Sequence, residues 1–204
     1  MTPPPPPTPF TFTFPPSLTP FNLPLPQYLP TRLPNLPPLK YAATGALVFN
    51  SHSNKILLIQ RAPHDSMPLK WEIPGGACDE EDETVLHGLA RELWEEAGLR
   101  LKNVVRVVGE DVFFTRGGRL VEKVSFEVEV EDTEGEAEGD IKIKLDPGEH
   151  VRFLWCGEEE CRKGKVLEFD GGVEFGIEFT TERQRAVVLR GFELRREGAE
   201  KEGE

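Results

Sequence analysis

The pattern of apolar and polar positions divides the chain into recognisable elements. Residues 41–49 and 55–60 are near-continuous apolar runs, separated by a polar turn at 50–54, and read as two strands paired in a hairpin. Trp71-Glu72-Ile73 is a short strand stopped by Pro74-Gly75-Gly76. Beyond it Leu86, Ala90, Leu93 and Ala97 recur at intervals of four, three and four, the stripe of an amphipathic helix that ends at Gly98. Residues 104–114 and 119–130 read as two more strands around Gly117-Gly118, and the second alternates through Val124, Phe126, Val128 and Val130. Residues 131–140 form an acidic, polar stretch expected to be a mobile loop, and 151–155 a last short strand. Thr181 and Gln184 make a capping-box pattern that opens a helix over 182–196. Strands before, between and after two helices predict an α+β fold, an α/β/α sandwich with a mixed sheet between helices.

Residues 1–38 break this pattern. A run of five prolines, a Thr-Phe alternation and Leu-Pro repeats predict an extended, proline-rich and mostly disordered leader. The expected organisation is therefore a leader at 1–38, one domain at 39–198 and a charged tail at 199–204. A solvated leader is the plain reading, and a ligand for an aromatic-lined groove is the functional one. Phe10, Phe12, Phe14 and Phe21 fit solvent or the domain surface equally well.

Charge narrows the classes of partner. The balance of 24 cationic and 36 anionic residues leaves −12, and every acid lies beyond residue 40. Such a surface repels a phosphate backbone, so broad nucleic-acid binding is not expected. A small phosphorylated ligand is compatible if cations neutralise its site locally. Cys78, Cys156 and Cys161 lack paired metal spacing and read as reduced thiols of an intracellular protein. No apolar run approaches the ~20 residues of a membrane span. The acid-free start has some character of an organellar transit peptide, but Arg32 and Lys40 are its only cations. The cytoplasm is the expected compartment, with the nucleus as the alternative.

The candidate chemistry sits on the helix opposite its apolar stripe. Glu92 stands three and four positions before Glu95 and Glu96, so three carboxylates share one face. One guanidinium, Arg91, cannot balance them, whereas hard divalent cations with oxygen ligands can. A solvated acidic face is the ordinary meaning of a glutamate cluster and suffices for Glu80, Glu81 and Asp82. It does not explain the strand, the Gly75-Gly76 turn, the Arg91-Glu92 pair, the Glu95-Glu96 pair and Gly98 falling together.

Together these residues resemble the signature box of the Nudix hydrolases: Gly, five residues, Glu, seven residues, then Arg-Glu-apolar-any-Glu-Glu-any-Gly-apolar. Arg91 to Leu99 match in full, and Glu83 has the family spacing to Arg91. Gly76 lies seven positions before Glu83 instead of six, a one-residue insertion ahead of the helix. The wider likeness covers about residues 41–196, including Arg61 and the segment from Lys70 to Gly76.

The resemblance implies a metal-dependent hydrolase that cleaves the diphosphate linkage of a nucleoside diphosphate derivative or related compound. It implies Mg²⁺ or Mn²⁺ held by Glu92, Glu95 and Glu96, with Arg91 orienting the carboxylates and Glu83 as a supporting ligand. Arg61, Gly75 and Gly76 are candidates for substrate binding, and Glu95 or Glu149 for the general base. Glu149 fits a solvated loop equally well, and His150 reads as a surface or capping histidine. Trp71 reads as core. A cysteine nucleophile such as Cys78 would belong to the isoprenoid-diphosphate isomerases of this fold, and nothing else supports that chemistry. The alternatives are a non-catalytic Nudix-fold nucleotide-binding or docking module and an adaptor acting through residues 1–38. A homodimer is compatible with folds of this kind.

Overall fold

The computed structural model describes residues 9–32, 39–115, 117–131, 142–167 and 174–202. In chain order they form α1 (Leu25–Tyr28), β1 (Tyr41–Val48), β2 (Ile56–Arg61), β3 (Trp71–Glu72) and α2 (Val85–Ala97). There follow β4 (Leu101–Phe114), β5 (Leu120–Val130), β6 (His150–Cys156) and α3 (Glu158–Lys163). The last elements are β7 (Lys165–Leu167), β8 (Glu174–Gly176) and α4 (Glu182–Glu202).

Strand side chains alternate between faces, so an unbroken apolar run must be buried on both. β1 and β2 do this. Ala46, Val48, Leu57 and Ile59 join one core with Leu86, Leu89, Ala90 and Leu93 of α2. Leu47, Phe49, Ile56 and Leu58 join a second core with Val188 and Phe192 of α4. Mixed sheet between helices is the expected α/β/α sandwich.

The expected hairpin does not form. β1 pairs in parallel with β5, from Tyr41 opposite Val121 to Val48 opposite Val128, and β5 pairs antiparallel with β4. β2 lies instead between β3 and β6, both antiparallel. A single bridge, Phe49 to Ile56, marks where β1 and β2 part. Asn50 closes the intervening turn by accepting from the His52 and Ser53 amides, each at 2.9 Å. A short turn permits a hairpin, but β5 takes the edge of β1, and β3 and β6 take the edges of β2. On its other edge β1 meets the glycine turn: the Thr44 and Ala46 amides donate to Gly76 and Pro74 carbonyls at 2.8 Å.

Residues 9–32 correct the picture of a disordered leader. Thr13 pairs beside β4, its amide donating to Lys102 (3.0 Å) and its carbonyl accepting from Val104 (2.8 Å). Leu18, Phe21, Leu25 and Tyr28 are buried in the core beneath α2, and Phe21 meets Phe126 edge-on at 5.2 Å. The Leu23 carbonyl accepts the Val85 amide at 3.0 Å, satisfying one of the donors exposed at the start of α2. Proline's missing donor costs little in 3₁₀ turns such as Pro16–Phe21, and the residues between prolines supply apolar surface. Residues 1–8 and 33–38 lie outside the described residues, as does 132–141, which takes in most of the expected mobile loop. α4 continues to Glu202, beyond the expected end at 196 and into the expected tail. Among the described residues no helix is long and apolar enough to cross a membrane.

Candidate active site

The acidic face of α2 lies under the turn that follows β3. Thr84 caps the helix by accepting the His87 amide at 3.3 Å, and Gly98 (φ 69°) ends it. The apolar stripe Leu86, Ala90, Leu93 and Ala97 is fully buried, which sets the rotation of the helix and turns Glu92 and Glu96 toward the turn. Two glycines allow the close approach. A side chain at Gly75 (φ 141°) would overlap the backbone of Thr44 and Gly45, and one at Gly76 would fall 2.5 Å from Glu92 Oε2. The Gly75 amide donates to Glu96 Oε2 at 2.5 Å.

Arg91 ties the box together. Its guanidinium donates to both oxygens of Asp82 (2.8 and 2.9 Å), to Glu92 (2.8 Å), to Glu95 (2.9 Å) and to the Ala77 carbonyl (2.9 Å). Its hydrogen bonds with Asp82, above all, hold it charged beyond the usual arginine range. Even so it leaves carboxylate charge unmatched. Burial pushes the Glu92 carboxyl up to about 7 against the pull of Arg91, with Glu95 and Glu149 adding to the rise. Burial raises Glu96 well above the carboxylate range, opposed by the Gly75 amide and reinforced by Glu72, Glu92 and Glu149. Glu95 is the more accessible of the three, its side chain 42% exposed.

A second strip of residues closes on Glu96 from β2, β3 and β6. A register shift between Gln60 and Arg61 sets Arg61 opposite His150. Arg61 grips Asp65 with two bonds (2.8 and 2.6 Å) and also bonds Glu72, so its charge is committed to carboxylates of the fold. His150 is buried, 2% exposed, with Nε2 3.3 Å from Glu72 Oε1 and 3.9 Å from Glu96 Oε1. Glu149 is exposed, on a turn held by Asp146 and docked to the end of β2 through the Ala62 amide (2.7 Å to the Glu149 carbonyl). Ligand atoms of Glu96, Glu149 and His150 all lie within 4.8 Å of one another.

The structure thus gathers Arg91, Glu92, Glu95, Glu96 and Glu149 around Gly75 and Gly76. It does not bring Glu83 to them: that side chain is 74% exposed and faces His87 at 3.4 Å. Asp82 takes the position against Arg91. Gly76 and Asp82 are six positions apart, the family's interval from glycine to acid, and that interval was the available signal for Asp82. Arg61 is engaged by Asp65 and Glu72 and the Gly75 amide by Glu96, while Gly76, lacking a side chain, leaves room for the Glu92 carboxylate. His150 is interior, not a surface cap, because the β2–β6 ladder carries it under the turn. Glu72 had no signal beyond its place beside Trp71. Cys78 is buried and its thiol is pushed up to about 12 by burial, unsuited to nucleophilic work.

An α/β/α sandwich presenting a carboxylate-lined helix beneath a glycine turn defines the structural class, and sequence comparison supplies the family. The NUDIX domain model matches residues 39–173, and the chain belongs to the Nudix family. A MutT-like protein from Streptomyces ambofaciens is 35% identical over 100 residues, covering 45% of this chain and 61% of that protein. An RNA pyrophosphohydrolase from Psychrobacter sp. (strain PRwf-1) is 34% identical over 71 residues, covering 35% of this chain and 38% of that protein. The chain therefore spans less than two thirds of the length of either relative. The crystal structure of a MutT protein from Methanosarcina mazei Go1 aligns with a TM-score of 0.50 and 25% identity, over 63% of this chain and 85% of that one.

Proposed function

We propose that this protein is a divalent-metal-dependent hydrolase of the diphosphate linkage in a nucleoside diphosphate derivative or related compound. The observation that carries the reading is the crowding of the part-buried Glu92 and buried Glu96 carboxylates beneath the glycine turn, with the ligand atoms of Glu149 and His150 within 4.8 Å of Glu96. Oxygen donors of this kind fit Mg²⁺ or Mn²⁺. Glu92, Glu95 and Glu96 would hold the ion, with Glu149 within reach. When bound, the ion supplies offset of phosphate charge and a lowered pKa for attacking water.

The chain's own residues do the remaining work. Arg91 fixes Glu92 and Glu95 by charge-assisted bonds and is itself fixed by Asp82. The Gly75 amide orients Glu96 and leaves its Oε1 turned toward His150. Glu149, exposed on its turn and close to Glu96, is the general base in this reading, with Glu95 as the alternative acceptor of the proton from water. The name of one relative, RNA pyrophosphohydrolase, supports cleavage of phosphoanhydrides. A purely binding module has no use for the full set Arg91, Glu92, Glu95 and Glu96. An adaptor acting through residues 1–38 fits poorly with a segment whose residues 18–28 contribute to the core.

The test is chromatographic detection of the cleaved phosphate-ester products with Mg²⁺, Mn²⁺ or chelator across nucleotide sugars, dinucleoside polyphosphates, ADP-ribose, NADH, oxidised nucleotides and 5′-triphosphate RNA. Metal-stimulated turnover of at least one substrate is expected, reduced about 100-fold or more in Glu95→Gln and Glu96→Gln. Near-normal rates in both variants would overturn the ligand assignment. An unchanged rate and pH profile in Glu149→Gln would pass the base to Glu95.

A further inference from the structure

One donor beside the carboxylates is chemically unlike them. His150 is almost wholly buried, yet its Nδ1 has no hydrogen-bond partner among the described residues. Nε2 sits 3.3 Å from Glu72, whose same oxygen already receives Arg61, and 3.9 Å from Glu96, beyond hydrogen-bond range. A buried imidazole with one nitrogen unsatisfied and the other weakly engaged is costly as it stands. Two donors about 2.1 Å from one ion stand roughly 3 to 4 Å apart, so separations within 4.8 Å need only slight contraction to share a cation.

We propose that His150 supplies a ring-nitrogen ligand to a cation held with Glu96 and Glu149, making a mixed nitrogen–oxygen site that selects Mn²⁺ over Mg²⁺. The inference rests on the hydrolase reading only in taking this cluster as the place of the cation; Glu149 would bind it through one oxygen and keep the other for the proton of water. Imidazole suits transition metals, whereas Mg²⁺ is served by oxygen and water and dehydrates reluctantly. Glu72, anchored by Arg61, which is held in turn by Asp65, flanks the ring at 3.3 Å from Nε2 and limits its rotation. The exposed Glu149 gives the ion an entry route that the buried Glu96 and His150 lack. The competing account is an imidazole whose Nε2 meets Glu72 alone, with no metal contact.

Pulsed electron paramagnetic resonance of the full chain loaded with Mn²⁺ separates the two. Nitrogen-14 modulation from a directly bound imidazole is expected in the unaltered protein, changed to the nitrogen-15 pattern after labelling with ¹⁵N-histidine, and absent in His150→Gln. The Mg²⁺ concentration that displaces half the Mn²⁺ should fall about 10-fold or more in that variant. Isotope labelling needs no substitution, so the result stands even if His150→Gln folds poorly. Bound Mn²⁺ with an oxygen-only spectrum overturns the His150 assignment and leaves the hydrolase reading intact. Nitrogen coupling that persists in a folded His150→Gln overturns it too, by pointing to another histidine. Absence of both Mn²⁺ binding and metal-stimulated turnover overturns both readings.

Discussion

Glu96 of α2 and Glu122 of β5 are both buried carboxylates, and the protein treats them in opposite ways. Glu122 is fully matched: the Tyr28 hydroxyl donates to Oε2 at 2.8 Å and Arg32 to Oε1 at 2.9 Å. Burial and the Glu122 contact raise the Tyr28 hydroxyl far above the phenol range, so it remains a donor. Glu96 has one backbone amide and is surrounded by Glu72, Glu92 and Glu149. A matched buried charge holds two parts of a fold together, while an unmatched one signals a ligand that completes it. The N-terminal segment belongs to the first kind and the acidic helix to the second.

The sharpest way to break this contrast is to neutralise each carboxylate in turn. Glu96→Gln should lower metal-dependent turnover about 100-fold or more with little loss of thermal stability, since the amide matches the neutral carboxyl that burial favours. Glu122→Gln should do the reverse. It leaves Arg32 with Glu110 as its remaining acid and costs about 3 kcal/mol in denaturant unfolding, with turnover per folded molecule retained. Similar stability losses in the two variants would erase the distinction.

A smaller effect follows from pH. The folded Glu92 carboxyl lies near 7 through burial, above its ordinary value, so the protonated form is the one folding favours. Its contribution is complete below the ordinary carboxylate range and is lost as pH rises to about 7. Metal-free protein should therefore lose thermal stability on this account across that window, and Glu92→Gln should flatten the loss. Bound cation needs the charged form, so Mn²⁺ affinity should rise with pH through about 7, with proton release visible by calorimetry in buffers of different ionisation enthalpy. The smallest expected difference separates neighbours. Asp82→Asn, which loosens Arg91, should lower turnover about 10-fold, whereas exposed Glu83→Gln should stay within about two-fold. The opposite order would return the supporting role to Glu83.

Much of α2 was legible because its information is local. The interval of apolar residues fixed the buried stripe, the same periodicity put Glu92, Glu95 and Glu96 on the other face, and Gly98 marked the end. The α/β/α layering was legible too, since unbroken apolar strands and an amphipathic helix admit few arrangements. Pairing partners were not: β1 pairs with β5 across about seventy residues of chain rather than with nearby β2, a non-local choice that the local apolar pattern does not encode.

The N-terminal segment shows the limit most clearly. Proline content predicted an extended, solvated chain, and nothing local said that Phe21 and Tyr28 would meet Phe126 and Glu122, about a hundred positions away. His150 was misplaced for the same reason. The amino-acid sequence by itself determined the acidic helix, its register and its family, because helical periodicity and motif spacing are properties of neighbouring residues. Only the tertiary structure decided that Asp82 rather than Glu83 clamps Arg91, that residues 9–32 complete the core, and that His150 stands beside Glu96. Those outcomes depend on which distant groups share a desolvated space, and the balance of burial against pairing exists only once the chain has closed around them.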